Sequence, residues 1–392
     1  MTTDRRIFHQ LRTVERLLQE YRQQQPAMPL ARFLTGFYKR NRQMGGNDRR
    51  TASRLAYHYF RIGNAAGEMD LGGRLAIAEF LCSEESAVVQ QLLPALYPAI
   101  KRPLAEKLSL VEKQTDFRLE DVFPYTAHLS AGLDPSEFVK SLFVQPDLFI
   151  RVRPGRLAEM QKQLTDAAIA YRQLDALTLA LPNGAPLDRI RGIAGEYVVQ
   201  DLSSQYTGAF FEPSAGENWW DASAGAGGKS LLLMDQEPGV NLLVSDIRPS
   251  ILRNLDERFD EAGIRKYRQK VIDLTKDSTT ILGNEQFDGI ILDAPCSGSG
   301  TWGRTPEMLT AFEETSIQCF ASLQKQLAKQ ALKHLKPGKP LIYITCSVFA
   351  EENEQVVAHL EETGQVELVR AELLQGYRHR ADSMFVARLV RR

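Results

Sequence analysis

Residues 293–300 read Asp-Ala-Pro-Cys-Ser-Gly-Ser-Gly, and residues 345–347 read Thr-Cys-Ser. Each cysteine follows an apolar, β-branched run: Gly-Ile-Ile-Leu-Asp before Cys296 and Leu-Ile-Tyr-Ile-Thr before Cys346. Such runs read as buried parallel strands. Ligands of open α/β sheets bind beyond the carboxyl ends of the strands. Asp293, Cys296 and Cys346 are therefore expected at one sheet edge. Two thiols and a carboxylate together suit covalent attack on an electron-poor ring. A buried cysteine is ordinarily an inert small hydrophobe, which is the reading kept for Cys82 and Cys319 inside helical patterns. Cys296 and Cys346 stand instead beside small residues just past strand ends, where a cleft activates a thiol.

A Gly-rich turn upstream, Asp221-Ala-Ser223-Ala224-Gly225-Ala226-Gly227-Gly228-Lys229-Ser230, follows a strand and opens a helix. Glycine there permits positive φ and close backbone approach to a ligand. Three ligand classes compete. A phosphate loop needs Gly-x-x-x-x-Gly-Lys-Ser/Thr, and its first position falls on Ser223. A dinucleotide fingerprint needs Gly-x-Gly-x-x-Gly, and its last position falls on Ser230. S-adenosylmethionine carries no phosphate and needs only a tight turn and a downstream acid for its ribose. Asp246 at the end of the next strand would be that acid, and Asp273 would reach the adenine edge. Any one of these aspartates also reads as a turn or cap residue; the ordered set favours a cofactor edge.

Methylation at carbon 5 of cytosine gives two thiols a use. A thiolate adds at carbon 6, carbon 5 becomes nucleophilic, Asp293 steadies the ring nitrogen, and a base removes the carbon 5 proton so that the first thiol leaves. Methylation of an amino group would need no thiol.

The elements that must position these residues follow from periodicity. Residues 1–128 read as all-helical: Ile7, Leu11, Val14, Leu18 and Tyr21 recur at helical spacing, and Asp48 reads as an N-cap after Gly45-Gly46. Residues 129–200 read as a small α/β module with strands near 148–153 and 177–181 and a helix over about 156–171. From 201 to 392 strands and helices alternate, which predicts a doubly wound parallel sheet of Rossmann-like type. Its strand candidates are 218–221, 240–246, 270–273, 287–293, 340–345 and 384–390, with the clearest helix over 314–335. A chain of 392 residues with 43% hydrophobic and 25% charged residues suits two or three globular domains. The start lacks the apolar stretch of a signal peptide, and no run approaches a membrane span. Four cysteines with no Cys-x-x-Cys pair suggest neither a disulfide framework nor a metal site, so a reducing cytoplasm is expected.

Charge is uneven. Residues 1–60 carry 12 Arg/Lys against 4 Asp/Glu, and residues 61–140 carry 8 against 12. A basic start in a neutral chain suggests a local anionic partner. Lys39, Arg40, Arg42, Arg49 and Arg50 flank the Gly-Gly turn beside Tyr38, a composition suited to phosphates and stacked bases. Arg151, Arg153 and Arg156 form a second candidate RNA patch, and the arginines at 378, 380, 388, 391 and 392 a third. The competing reading of each is a solvated basic face.

At its thiol and loop motifs the sequence resembles the Sun/RsmB family of RNA cytosine-5 methyltransferases, over about 185–392. Val199-Gln-Asp-Leu-Ser-Ser-Gln205, Asp221 to Lys229, Asp293 to Gly300, and Thr345-Cys-Ser with Glu351-Glu-Asn353 carry the likeness. The resemblance implies that Cys346 is the nucleophile and that Cys296 assists release. It also implies S-adenosylmethionine contacts through 223–229, Asp246, Asp273 and Asp293, with Lys229 near the target base. The family's Cys-Ala-Ala-Pro-Gly-Gly-Lys is here Ser223-Ala-Gly-Ala-Gly-Gly-Lys229, and its Asp-Gly-Phe-Phe is Asp382-Ser-Met-Phe385. An N-terminal NusB-like domain, ribosomal RNA or a partly assembled small subunit as substrate, and a monomeric state are the further expectations. A non-catalytic assembly factor on the same scaffold and a transfer RNA substrate are the alternatives.

Overall fold

The computed structural model describes residues 3–24, 28–190 and 192–392. The chain forms two compact units, each built from discontinuous segments. The first comprises Met1–Ala127, Asp134–Gln145 and Trp302–Glu313. Its helices Thr3–Arg22, Leu30–Arg40 and Gly46–Arg61 each turn an apolar stripe inward, while Leu71–Cys82 is buried on all sides from Leu75 to Leu81. Val14, Leu18, Phe33, Phe37, Leu55 and Phe60 form the centre of that core. Trp302, which follows the Ser-Gly-Ser-Gly run in sequence, packs within this unit on Phe123, Tyr125 and Phe312. Asp48 is not the N-cap: the helix starts at Gly46 with Gly45 before it, and Asp48 lies in the first turn. Extended backbone at Gly45 begins the helix three residues sooner, and an acid in the first turn still favours the helix dipole.

The second unit comprises His128–Leu133, Pro146–Thr301 and Glu314–Arg392. It carries two sheets. Strands β1 (Leu148–Val152), β2 (Arg172–Gln173), β3 (Thr178–Leu181) and β4 (Tyr197–Val199) form an antiparallel sheet in the order β2-β3-β1-β4. Helix Leu157–Asp166 covers it, shorter than the sequence pattern suggested. Ala168 follows at φ 53, a conformation outside a helix.

The large sheet holds β5 (Asn218–Asp221), β6 (Asn241–Asp246), β7 (Arg268–Val271), β8 (Gly289–Asp293), β9 (Pro340–Thr345), β10 (Val366–Leu374) and β11 (Met384–Arg391). Their order is β10-β11-β9-β8-β5-β6-β7. β5 to β9 run parallel, while β11 is antiparallel to β9 and β10 to β11. The central strands are buried throughout because helices cover both faces. Close packing shows at Gly289, where an added Cβ would fall 2.4 Å from the Trp219 ring. The chain leaves β5 for β6 and β7, then returns to place β8 on the other side of β5. A crevice opens at that reversal.

Two sequence expectations shift. The third strand lies two residues earlier than 270–273, since its ladder pairs Leu243 with Arg268; Asp273 therefore stands just beyond the strand. β10 has no counterpart among the candidates. It is an edge strand of mostly exposed and half-buried residues, with a register shift between Leu368 and Arg370.

Candidate active site

A cleft of about 670 Å³ opens at the carboxyl ends of β5, β6 and β8. Its lining includes Ala222 to Ala226, Gly228, Lys229, Asp246, Asp273, Asp293 and Pro295, with Ile247, Leu274, Leu323 and Leu327 as apolar surface. The Gly-rich turn takes the conformation its sequence requires. Gly225 and Gly227 have φ of 53° and 81°, a region costly for any residue with a Cβ. Gly227 does not line the cleft: it begins helix Gly228–Gln236, and an added Cβ would come 2.8 Å from Phe259. Its part is to let the turn pack against helix Pro249–Glu261.

Three carboxylates meet the cleft on different terms. Asp246 Oδ2 accepts from Gly225 N at 3.1 Å, and Oδ1 from Arg248 N at 2.9 Å. The Arg248 guanidinium bonds both oxygens at 3.0 and 3.2 Å. Burial acts to raise the Asp246 pKa, but these bonds prevail and hold it below the ordinary carboxylate range. Asp273 Oδ1 accepts from both Thr275 N and Thr275 Oγ1, and Lys276 lies 3.3 Å from Oδ2. Those Thr275 bonds lead in depressing its pKa. Asp293 Oδ2 accepts from Lys229 Nζ at 3.0 Å. Asp221, also a strand-end acid, does not reach the cleft. It lies fully buried under the turn, accepts from Ser230 Oγ at 2.6 Å, and burial pushes its pKa up to about 7.

Beside Pro295 the two loops of interest converge. Cys296 Sγ and Cys346 Sγ lie 3.2 Å apart, both half-buried and free. The contact with Cys346, then burial, then the negative charge of Cys346 and Glu352 push the Cys296 thiol well above its usual pKa. The loops are tied directly: Gly300 N donates to Cys346 O at 2.9 Å, and Ala294 N to Ile344 O at 2.8 Å.

Lys229 is nearly buried, and its ammonium also donates to Ser204 Oγ at 2.7 Å. Gln200 bonds the same hydroxyl at 3.1 Å, while Gln200 Nε2 reaches Gly228 O at 3.3 Å. The motifs Val199 to Gln205 and Glu351-Glu-Asn353 carry no assigned role in the sequence. In the structure Ser204 and Gln200 orient Lys229, Glu352 joins the thiol loops, and Arg248, which no motif marks, pairs with Asp246. Arg248 had a signal, standing two residues past a strand-end acid.

The candidate RNA residues divide. Lys39, Arg40, Arg42 and Arg50 are exposed on the helical unit, with Arg40 3.1 Å from Glu20. Arg49 is half-buried: it donates to Met44 O at 2.9 Å and Arg42 O at 3.3 Å, holding the Gly-Gly turn closed. Arg151 is a correction. It is 3% exposed, and its guanidinium is engaged by Asp235 and by Gln200. Arg153 also pairs with Asp235 and bonds Ala262 O. Two arginines on one interior-facing strand satisfied a buried acid, which clustering in sequence does not distinguish from an RNA patch. The third patch is likewise partly internal: Arg388 bonds Phe210 O and Phe211 O, and Arg391 bonds Leu335 O.

The chain's likenesses agree with this geometry. A profile described as "16S rRNA methyltransferase RsmB/F" matches residues 209–390. "Ribosomal RNA small subunit methyltransferase B" of Klebsiella pneumoniae subsp. pneumoniae is 34% identical over 196 residues, covering 50% of this chain and 44% of that protein. The protein of the same name from Shewanella oneidensis is 31% identical over 242 residues, covering 59% and 55%. The chain thus matches about half the length of these curated relatives. Among solved structures, that of PH0851 aligns over 97% of this chain and 98% of its own, with a TM-score of 0.72 at 20% identity. NSun6 from Pyrococcus horikoshii with SFG aligns over 68% and 97%, with a TM-score of 0.60 at 17% identity. At those identities the structural likeness speaks for the fold, a Rossmann-like methyltransferase sheet joined to an all-α N-terminal region. No helix among the described residues is long and apolar enough to cross a membrane. Over the matched span 209–390, which holds the thiol pair, the Asp293–Lys229 contact and the Gly-rich turn, the chain is similar to the RsmB/F methyltransferases.

Proposed function

We propose that this protein transfers a methyl group from S-adenosylmethionine to carbon 5 of a cytosine in RNA, ribosomal RNA being the substrate class, through a covalent cysteine–cytosine intermediate. The observation that carries the reading is the thiol pair 3.2 Å apart, set directly after the cleft residues Asp293 and Pro295.

The cleft fits this cofactor better than a nucleotide phosphate. Its charged lining is chiefly acidic, and its two cations, Lys229 and Arg248, are paired with Asp293 and Asp246. That setting disfavours a polyphosphate and suits a sulfonium. Asp246 would take the ribose hydroxyls, Asp273 the adenine edge, and the turn 223–229 the amino-acid end, with Ile247 and Leu274 as apolar walls. S-adenosylmethionine supplies a sulfonium-bound methyl group as the electrophile.

Cys346 as thiolate adds to carbon 6, forming an S–C bond while the C5–C6 π pair moves into the ring. The Asp293–Lys229 pair supplies the proton that meets charge at ring nitrogen 3. Held by Asp246, Asp273 and the Gly-rich turn, the cofactor would supply its methyl group to carbon 5, the sulfonium sulfur keeping the bonding pair. The contact and charge of Cys346 that raise the Cys296 pKa vanish once Cys346 is bonded to carbon, so Cys296 would then lose its proton to solvent. As thiolate base it removes the carbon 5 proton, the C5–C6 double bond re-forms, the Cys346–C6 bond breaks with its pair on sulfur, and ring nitrogen 3 returns its proton to the Asp293–Lys229 pair.

The helical unit's exposed Lys39, Arg40, Arg42 and Arg50 are the proposed RNA contacts. The test is methyl transfer from labelled S-adenosylmethionine to ribosomal RNA, with the nucleoside identified by mass spectrometry. We expect 5-methylcytidine, lost in Cys346→Ala, and a stable protein–RNA adduct in Cys296→Ala. Normal turnover in Cys296→Ala would remove its release role. An adduct in Cys346→Ala would exchange the two thiols.

A further inference from the structure

We propose that Glu352 is a positioning residue that holds the two thiol-bearing loops in register. The proposal rests on the two-thiol reading above for its catalytic meaning, but its geometry stands alone. Glu352 is fully buried. Its Oε2 accepts from the backbone N–H of Ser297, the residue after Cys296, at 2.9 Å. Its Oε1 accepts from the hydroxyl of Ser347, the residue after Cys346, at 2.8 Å. One carboxylate thus grips the position next to each thiol.

The grip is itself braced. Gln324 Nε2 donates to Glu352 Oε2 at 2.9 Å and to Pro295 O at 3.1 Å, so the residue before Cys296 is held from the same point. The hydroxyls of Ser297 and Ser347 are 3.1 Å apart, and Ser299 Oγ lies 3.1 Å from the first and 3.2 Å from the second. Ser299 Oγ also accepts from Val348 N at 2.9 Å. Tyr343 OH donates to Glu352 O at 2.7 Å.

A buried charge in this place is costly unless every oxygen is satisfied. Here both oxygens have donors, and all but Gln324's come from the thiol loops. A scaffold role alone would be served by apolar packing. The carboxylate instead spans two loops that are fifty residues apart in sequence and hold their sulfurs 3.2 Å apart. Burial keeps the Glu352 pKa above the ordinary carboxylate range, and its charge adds to the forces that keep Cys296 protonated.

The test uses a reaction independent of methyl transfer. Diamide oxidises two adjacent thiols: two S–H bonds break, one S–S bond forms, and the N=N bond of the reagent takes up the two electrons and two protons. The Cys296–Cys346 disulfide is followed by peptide mass spectrometry, which separates it from Cys82 and Cys319. In the full-length protein we expect Glu352→Ala to form this disulfide roughly tenfold more slowly than Glu352→Gln, the scale of about one hydrogen bond. Both variants remove the charge that raises the Cys296 pKa, so the comparison isolates the grip, of which Glu352→Gln keeps one acceptor oxygen. S-adenosylmethionine affinity should stay at the wild-type value in both, because Glu352 does not line the cleft. Equal oxidation rates in folded Glu352→Gln and Glu352→Ala would overturn the proposal. Should that variant unfold, Ser347→Ala removes one of the two grips, and an unchanged rate there overturns it equally. A wild-type protein that forms the disulfide rapidly and transfers no methyl group would refute the proposed function and leave the role of Glu352 standing.

Discussion

Asp246→Asn and Arg248→Ala should move S-adenosylmethionine binding in opposite directions. An ionised carboxylate offers about four lone-pair sites. At Asp246 two serve backbone N–H groups, of Gly225 and Arg248, and two serve the Arg248 guanidinium. Two ribose hydroxyls would need the latter pair, so the guanidinium must withdraw. It is free to do so because the Arg248 side chain is 64% exposed. An ion pair that exposed is worth about 0–1 kcal/mol, so Arg248→Ala should tighten binding by no more than roughly fivefold. Asp246→Asn removes the charge that accepts the hydroxyls, a loss of about 1.5–3 kcal/mol, or roughly ten- to hundredfold in affinity. Isothermal titration calorimetry at low and high salt measures both, and the Arg248→Ala gain should shrink as salt screens the competing pair. The pH dependence has a definite sign. The Asp246 pKa lies below the ordinary carboxylate value, so binding that needs its charge persists to acid pH and is lost as pH falls through that depressed pKa. Arg248→Ala removes the chief counterweight to burial and should move the loss to higher pH. Weaker binding in Arg248→Ala, with no dependence on salt, would refute the competition and make Arg248 a ligand contact.

Three further outcomes are expected. Asp221 has a folded pKa near 7, above its unfolded value, so it binds its proton more tightly when folded. Its contribution is full below the unfolded pKa and is lost as pH rises to about 7, and urea titrations across this window should show a slope that Asp221→Asn lacks. Gly300→Ala would set a Cβ 2.0 Å from Ser383 O and 3.0 Å from Cys346 O. It should cost about 3 kcal/mol of stability, read as a lower unfolding midpoint, and a wild-type midpoint would show that the loops yield freely. Arg42→Glu with Arg50→Glu should weaken RNA binding and flatten its salt dependence, whereas Arg49→Ala should first lower the stability of the helical unit. Equal effects on RNA from all three would contradict the turn-closing role of Arg49.

What the sequence made legible was backbone. Strand ends at Asp221, Asp246 and Asp293, the turn between β5 and its helix, and the meeting of two thiols all follow from apolar runs and glycine placement, which are local signals. Edge strands were not legible. β10 alternates weakly because solvent meets much of it, and β7 began earlier than its apolar residues because an edge pairs on one side only. Partners of polar side chains were also hidden. Nothing local marks Glu352 as the acceptor for Ser297, since the contact joins positions 55 residues apart. Asp48 failed as a cap for a plainer reason: the extended residue was the glycine three positions before it.

Arg151 shows how a mistaken assignment and a correct motif belong to one device. Its Nε donates to Gln200 Oε1 at 2.9 Å, Gln200 Nε2 meets Ser204 Oγ at 3.1 Å, and Ser204 Oγ accepts from Lys229 Nζ at 2.7 Å. Lys229 then reaches Asp293 at 3.0 Å. A continuous chain of polar contacts therefore runs from β1 of the small sheet to the carboxylate beside the thiols. Each member restrains the next, so a lysine with four rotatable bonds is left with one direction for its ammonium. Arginine on β1 suits the place because its planar fork fixes the separation of the donors that serve Asp235 and Gln200. Arg151→Lys would keep the charge but replace the fixed fork with a single nitrogen on a flexible stem. Its signature would be a weakened Asp293–Lys229 pair rather than weaker RNA binding, which separates positioning from contact at the residue where sequence reading confused them.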